Sequence, residues 1–363
     1  MARYRAGVIG LGWMGMLYDV GERMGTWNVD DIDRPTPELD LNRKFYHHEH
    51  PGKEGLPSSY SEALSDRPEV ELVAGSDRDR NRLKAFSHRY GCDALYNDAA
   101  EMLEKEQLDI VAITTNTKGR SHFTCLAVEN GAKAIFTEKP MAHTLEEADR
   151  MVKMCAKAGV PLNGGAISTT HPSFGKAKEL ITSGAIGKIV SIESSGPTAQ
   201  HQNWTYFLDS APAWVIGVGD GPRRESGSSE FGGQGMMVTV DELVVHFRRG
   251  APAVRINGTA GEITFDGRGW RLLQQLENTP AHQFVEMPWP DPQFVPPYGA
   301  VYALADLIDC LKGKLDEPKN SGRRVAIALE VEIALKQSSA NEAIRIDLPL
   351  KDRSLGLHYD WFR

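Results

Sequence analysis

An α/β fold in two parts is predicted: a parallel sheet wound by helices over residues 1–165, then an α+β unit with a mostly antiparallel sheet over residues 166–363. Three observations predict it. Short apolar runs alternate with helical patterns through the first third of the chain. A glycine-rich turn follows the first of those runs. Beyond about residue 165, short β-rich runs are parted by Gly, Asp and Asn turns.

The runs 6–9, 70–75, 108–113 and 134–137 carry too few polar residues for strands wet on one side, so they are expected to be buried. Helical stretches such as 79–90 and 121–130 lie between them, and that alternation implies a parallel sheet covered on both faces. A helix starts behind Thr144, which has capping-box spacing to Glu147. Leu145, Ala148, Val152 and Cys155 form its apolar stripe, and Gly159 with Pro161 ends it. A helix over 172–183, closed by Gly184, opens the second part. Strands are expected at 189–193, 235–240, 243–247, 254–256 and 262–265, and helices at 300–311 and 325–340. The chain contains no internal repeat.

Composition limits the functions available. At 363 residues the chain has room for two ordinary domains. Hydrophobic residues at 41% and charged residues at 25% describe a water-soluble globular protein. No apolar run approaches the roughly 18 residues of a membrane helix, so no membrane partner is expected. The first strand begins almost at Met1, so no signal peptide is expected. Cys92, Cys125, Cys155 and Cys310 are scattered, which suits reduced thiols in the cytoplasm. A net charge of −8 without a basic block argues against nucleic acid.

The turn "GVIGLGWMGMLYD" sets Gly10, Gly12 and Gly15 directly after the first strand, with Trp13 and Met14 inside the loop. Two glycines admit a pyrophosphate to the backbone, the third packs helix on strand, and the helix N-terminus faces the phosphates. This is the fingerprint of a Rossmann dinucleotide-binding domain. The second strand ends at Asp77, where a carboxylate accepts from an adenosine ribose and repels a 2′-phosphate. NAD is therefore the expected cofactor, although Ser76 and Arg78 could hold the phosphate of NADP. The fingerprint expects its acid about 20 residues past the last glycine. Here roughly forty more intervene, an insertion over about 16–58. It carries Asp30, Asp31 and Asp33, then His47, His48, Glu49 and His50. It is either a surface loop or a flap over the substrate of this or a neighbouring subunit. No fourth ligand accompanies the histidines, so no metal is expected.

Further along, "AITTNT" (residues 112–117), Glu138-Lys139-Pro140 and "ELITSGAIGKI" (residues 179–189) follow Asp77 in that order. With the glycine loop, this order resembles the family of glucose–fructose oxidoreductase, inositol dehydrogenase and MocA over nearly the whole chain. The resemblance implies a nucleotide-binding domain, an open-sheet second domain, and NAD(P)-dependent oxidation of sugars or polyols. It also implies a homodimer or homotetramer packed through the open sheet. Three departures touch the substrate side. Arg120 stands where the family often has His. "SSGPTAQHQNW" lacks the usual Asp four residues before His201. Thr169-Thr170-His171-Pro172 replaces the usual Arg.

Oxidising a secondary alcohol sends a hydride to C4 of the nicotinamide and the hydroxyl proton to a base. A free lysine, with pKa about 10.4, is protonated at neutral pH. Bringing it to about 7.5 requires about 4 kcal/mol, which partial burial and the positive ring of NAD⁺ can both supply. Lys139, at a strand tip on the sheet's carboxyl edge, is the expected general base. A cis Lys139–Pro140 bond is implied by the resemblance. Glu138 is expected to anchor the loop or a cofactor ribose, and Thr115, Asn116 and Thr117 to border the nicotinamide ribose. Lys118 and Arg120 are either surface cations or contacts for an anionic sugar. His201 is the candidate second catalytic group; Asn163, His171 and Asn203 are candidate substrate contacts. Trp204 and Trp214 suit either sugar stacking or core packing.

The main expectation is a sugar, polyol or glycoside dehydrogenase or reductase. An alternative is an NAD-dependent glycoside hydrolase working by transient oxidation, elimination, water addition and re-reduction. A third is a non-catalytic nucleotide-sensing or scaffold protein.

Overall fold

A computed structural model describes residues 3–17, 59–165, 168–199, 202–220, 230–276, 283–294 and 300–358. The insertion beyond residue 17 and His201 lie outside the described residues. The chain forms two compact units. Unit 1 comprises Met1–His143, Glu147–Thr170 and Pro296–Gly322. Unit 2 comprises Thr144–Glu146, His171–Val295 and Arg323–Arg363.

Unit 1 is a Rossmann-type parallel sheet. In chain order it contains β1 (Tyr4–Ile9), α1 (Tyr60–Ser65), β2 (Val70–Ser76), α2 (Arg80–Tyr90), β3 (Ala94–Tyr96) and α3 (Ala99–Glu106). Then come β4 (Ile110–Ile113), α4 (Thr117–Glu129), β5 (Ala134–Thr137), α5 (Leu145–Ala158) and β6 (Leu162–Asn163). The six strands are ordered β3-β2-β1-β4-β5-β6 and every pairing is parallel. All residues of β4 and β5 are buried, as central strands covered on both faces must be. Strand order reverses between β1 and β4, the point where such sheets bind ligands at their carboxyl edge. The core joins Val8, Phe86, Ile110 and Phe136 to Tyr60 of α1 and to Leu304 and Leu307 of a later helix, Ala300–Leu311.

Unit 2 opens with α6 (Pro172–Thr182). The strands β7 (Ile189–Ser194), β8 (Pro212–Val218), β9 (Gln234–Thr239), β10 (Val244–Phe247), β11 (Val254–Gly258), β12 (Gly261–Phe265), β13 (Trp270–Gln275) and β14 (Phe284–Met287) follow. The helix Ala300–Leu311 of unit 1 is α7; α8 (Gly322–Ala340) and β15 (Ile346–Asp347) close the chain. The nine strands are ordered β14-β13-β12-β11-β7-β10-β9-β8-β15. Only β7 with β10 is parallel. The sheet is therefore mostly antiparallel, as the turn chemistry between its strands predicts. Phe174, Phe265, Trp270 and Phe294 pack edge-on or tilted, with ring centroids 4.7–5.0 Å apart. Trp204 is fully buried with its ring 5.1 Å from Phe247, and its Nε1–H donates to Pro197 O (3.4 Å). It is a core residue and not a stacking platform. Trp214 lies under the Arg345 guanidinium at 4.8 Å.

Candidate active site

The glycine loop leaves the carboxyl end of β1 and runs into a single π-turn, Trp13–Leu17. A Cβ on Gly15 would sit 2.0 Å from the Gly10 carbonyl oxygen, so only glycine lets this turn fold back on the strand. Gly12 differs. A Cβ there would meet only the tip of Arg82, at 3.5 Å. Nothing among the described residues requires glycine at position 12, whereas a phosphate drawn against its backbone does. The residues thus fit a dinucleotide on an observation independent of motif matching. Trp13 is exposed and Met14 half-buried beside this opening. Thr114, at the end of β4, hydrogen-bonds through its hydroxyl to the Gly10 carbonyl and locks the two loops across the switch point.

Asp77 ends β2. Its Oδ2 accepts from Leu11 N (2.7 Å) and its Oδ1 from Asp79 N (2.9 Å). Arg82 Nη1 approaches the same carboxylate at 3.6 Å. Asp77 therefore fixes the glycine loop, and each oxygen keeps a lone pair for a ribose hydroxyl. Arg78 is exposed. After β4, Thr115 is half-buried, Asn116 is the exposed N-cap position of α4, and Thr117 is buried with Oγ1 unpartnered among the described residues.

The lysine loop leaves β5 on the same edge. Glu138 is buried, its N–H donates to Ile113 O (3.3 Å), and its Oε1 accepts from Lys139 N (2.8 Å). Burial pushes the Glu138 carboxyl up; Lys139, Arg120 and the facing Tyr60 hydroxyl pull it back. The Lys139–Pro140 peptide bond is cis. The Lys139 side chain is half-buried. Gly165 packs against its backbone: at φ +128°, a Cβ there would sit 2.8 Å from Lys139 N. That contact is held from behind. Asn163 Oδ1 accepts from Gly165 N (2.9 Å), and Asn320 donates through Nδ2 to Gly165 O (2.5 Å). Asn163 is fully buried, and its Nδ2 has no partner among the described residues.

Arg120, expected at the surface or facing an anionic sugar, is neither. It is 2% exposed. Its Nε and Nη2 donate to Thr115 O (3.1 and 2.8 Å), and its Nη1 donates to Glu138 O (2.6 Å) and to Pro140 O. Burial pulls its pKa down to about 10, which leaves it charged at neutral pH. Thr117, Arg120, Ser121, Thr124 and Ala127 form the buried face of α4, mostly polar residues that carry no apolar stripe in the sequence. Tyr60, equally unanticipated, donates to Thr137 O (2.7 Å). Lys118 is exposed.

The glycine loop, Asp77, Thr115, Asn116, Thr117, Glu138, Lys139 and Asn163 thus share one sheet edge. His171 and Asn203 belong to unit 2. His171 is buried at the N-cap of α6, where its Nδ1 accepts from Ser173 N (3.1 Å). Trp270 Nε1–H donates to Ser173 Oγ (2.9 Å), which leaves that hydroxyl to donate to His171 Nδ1 (2.9 Å). An Nδ1 that accepts places the ring proton on Nε2 in the neutral imidazole. Asn203 is buried. Among the described residues, no three His, Cys, Asp or Glu side chains cluster as a metal site.

Residues 55–165 match the family model GFO_IDH_MocA, described as an oxidoreductase family with an NAD-binding Rossmann fold. D-apiose dehydrogenase of Paraburkholderia graminis is 39% identical over 125 residues, 34% of this chain and 33% of that protein. Myo-inositol 2-dehydrogenase of Thermotoga maritima is 31% identical over 140 residues, 38% of this chain and 42% of that protein. The matches to these curated relatives thus span about a third to two fifths of their length. The fold extends over nearly the whole chain. The WlbA dehydrogenase of Bordetella pertussis, solved with NADH and UDP-GlcNAcA, superposes with TM-score 0.61 at 18% identity, covering 96% of this chain and 99% of that one. The aldose-aldose oxidoreductase of Caulobacter crescentus, solved with glycerol, gives 0.62 at 19% identity, covering 95% and 100%. Over residues 55–165, this chain is similar to the Gfo/Idh/MocA oxidoreductase family with its NAD-binding Rossmann fold.

Proposed function

We propose that the protein is an NAD-dependent oxidoreductase moving a hydride between the nicotinamide and a hydroxyl-bearing carbon of a sugar, polyol or glycoside. Lys139 acts as its general acid/base. The observation carrying this reading is a half-buried amine on the edge that bears the dinucleotide loop. The names of the relatives, apiose and inositol dehydrogenases, support the substrate class.

Bound NAD⁺ supplies the hydride acceptor. The protein's work is to orient and to handle the proton. Gly10, Gly12 and Gly15 would hold the pyrophosphate, and Asp77 would hold the adenosine ribose. Thr115, Asn116 and Thr117 border the nicotinamide ribose. Neutral Lys139 Nζ takes the hydroxyl proton during oxidation and returns it during reduction. Asn163 is a candidate donor to a neighbouring substrate hydroxyl. His171, with its proton on Nε2, is a donor and not a base in that state.

Incubation with NAD⁺ and a panel of sugars, cyclic polyols and glycosides tests this reading. NADH accumulating in step with oxidised product supports it. Glycoside cleavage without net NADH establishes the redox-neutral hydrolase instead.

Cofactor choice gives a separate prediction. Asp77→Ala removes both the ribose acceptor and the acid that repels a 2′-phosphate. NAD Kd is expected to rise about tenfold, or about 1.4 kcal/mol, with NADP Kd unchanged or lowered. Titration of protein fluorescence with each nucleotide measures both. An unaltered NAD Kd removes Asp77 from the cofactor site.

A further inference from the structure

We propose that Arg120 is a positioning residue for Lys139, holding it in place and biasing its amine toward the uncharged form. This inference rests on the reading of Lys139 as general base. Four hydrogen bonds run from one guanidinium to the carbonyls of Thr115, Glu138 and Pro140. Two of those carbonyls flank Lys139 in the chain, and the third belongs to the loop expected to border the nicotinamide ribose. The rigid fork of arginine can span all three; a lysine or histidine cannot. No carboxylate accepts any of the four bonds, so the cation is used to hold backbone.

The charge acts in one direction whatever the state of its neighbours. The titratable groups facing Arg120 are Glu138 and Tyr60. Where Glu138 is neutral, Arg120 is an unopposed buried cation near Lys139 and disfavours a second positive charge. Where Glu138 is ionised, Arg120 offsets a carboxylate that would otherwise hold Lys139 protonated. Either way, loss of the guanidinium raises the Lys139 pKa. Arg120 occupies the first turns of α4, a rigid element, so the arrangement exists before any ligand arrives.

The test reads Lys139 directly. Trace acetylation with acetic anhydride across a pH series, with peptide mapping by mass spectrometry, gives the titration of that one amine in the full chain. In the wild type it is expected at least one pH unit below an ordinary lysine. Arg120→Gln is expected to raise it by about one unit. Arg120→Lys, which keeps the charge and loses the fork, is expected to leave the titration within about half a unit of the wild type while lowering kcat at every pH. Superimposable titrations for wild type and Arg120→Gln overturn the proposal, as does an equal shift in both variants. Should Arg120→Gln fail to fold, the wild type decides: a Lys139 titrating at the ordinary lysine value overturns the proposal, and a lowered one supports it. The labelling needs no substrate. A depressed Lys139 pKa in a protein that oxidises no sugar refutes the proposed activity and leaves this inference standing.

Discussion

Lys139→Met is expected to lower kcat by at least ~10²-fold, with NAD Kd within a few-fold of the wild type. Methionine matches the lysine stem in length and flexibility but carries no proton acceptor of useful basicity. Backbone contacts hold the surrounding loop. Glu138 Oε1 holds the backbone N–H of residue 139, Gly165 packs against its backbone, and Arg120 binds the carbonyls on either side. All these backbone contacts survive the substitution, and an unchanged NAD Kd with lost turnover reports lost proton transfer. The pH profile provides a second reading. In the oxidative direction, wild-type kcat/KM should climb with pH through the Lys139 titration and then level, because only the neutral amine accepts a proton. The residual rate of the variant should lack that limb. Steady-state NADH absorbance and nucleotide titration measure the two halves. Turnover near the wild-type value removes Lys139 from the chemistry.

Much of this edge is legible in the sequence because it is local. A glycine loop, an acid ending the next strand and a Glu-Lys-Pro turn each declare themselves within a few residues. The central strands declare themselves as well, since burial on both faces makes β4 and β5 wholly apolar but for Thr137. What fails to show is short or depends on distant partners. β3, β6 and β15 have two or three residues each, too few for any period to emerge. β8 begins at a proline, and every residue of β14 is exposed, so neither carries the alternation of a half-buried strand. Periodicity finds the helix at Ala300–Leu311 but cannot say that its apolar stripe joins Tyr60 and Phe136 in the core of unit 1. Arg120 is the sharpest case. Cations mostly stay in water, and only the three carbonyls that converge on this one explain its burial.

In unit 2, Glu332→Ala is expected to destabilise the fold by about 4 kcal/mol near pH 5, and by much less near pH 8. Glu332 lies on α8 and is fully buried. Its Oε2 accepts from Ala199 N (2.9 Å) and its Oε1 from Phe231 N (2.8 Å), so one side chain ties two loops to the helix. Truncation leaves both N–H groups buried without an acceptor, at about 1–3 kcal/mol each. Burial raises the Glu332 pKa from the ordinary 4.5 to about 7; the two N–H donors and Lys336 oppose that rise, and Glu230 adds to it. The sign follows from proton counting. Between pH 4.5 and 7 the folded state holds a proton at Glu332 that the unfolded state has released. Stability from this group therefore falls as pH rises through that window, by about 3 kcal/mol in all, and is flat above it. The variant lacks that dependence, so the gap between the two proteins should narrow from pH 5 to pH 8. Glu138 and Asp306, also raised by burial, change both proteins alike and cancel in the difference. Urea unfolding of both proteins at a series of pH values measures the gap. A gap that stays constant across the window means that Glu332 is ionised in the fold throughout, held as a carboxylate by its two N–H donors.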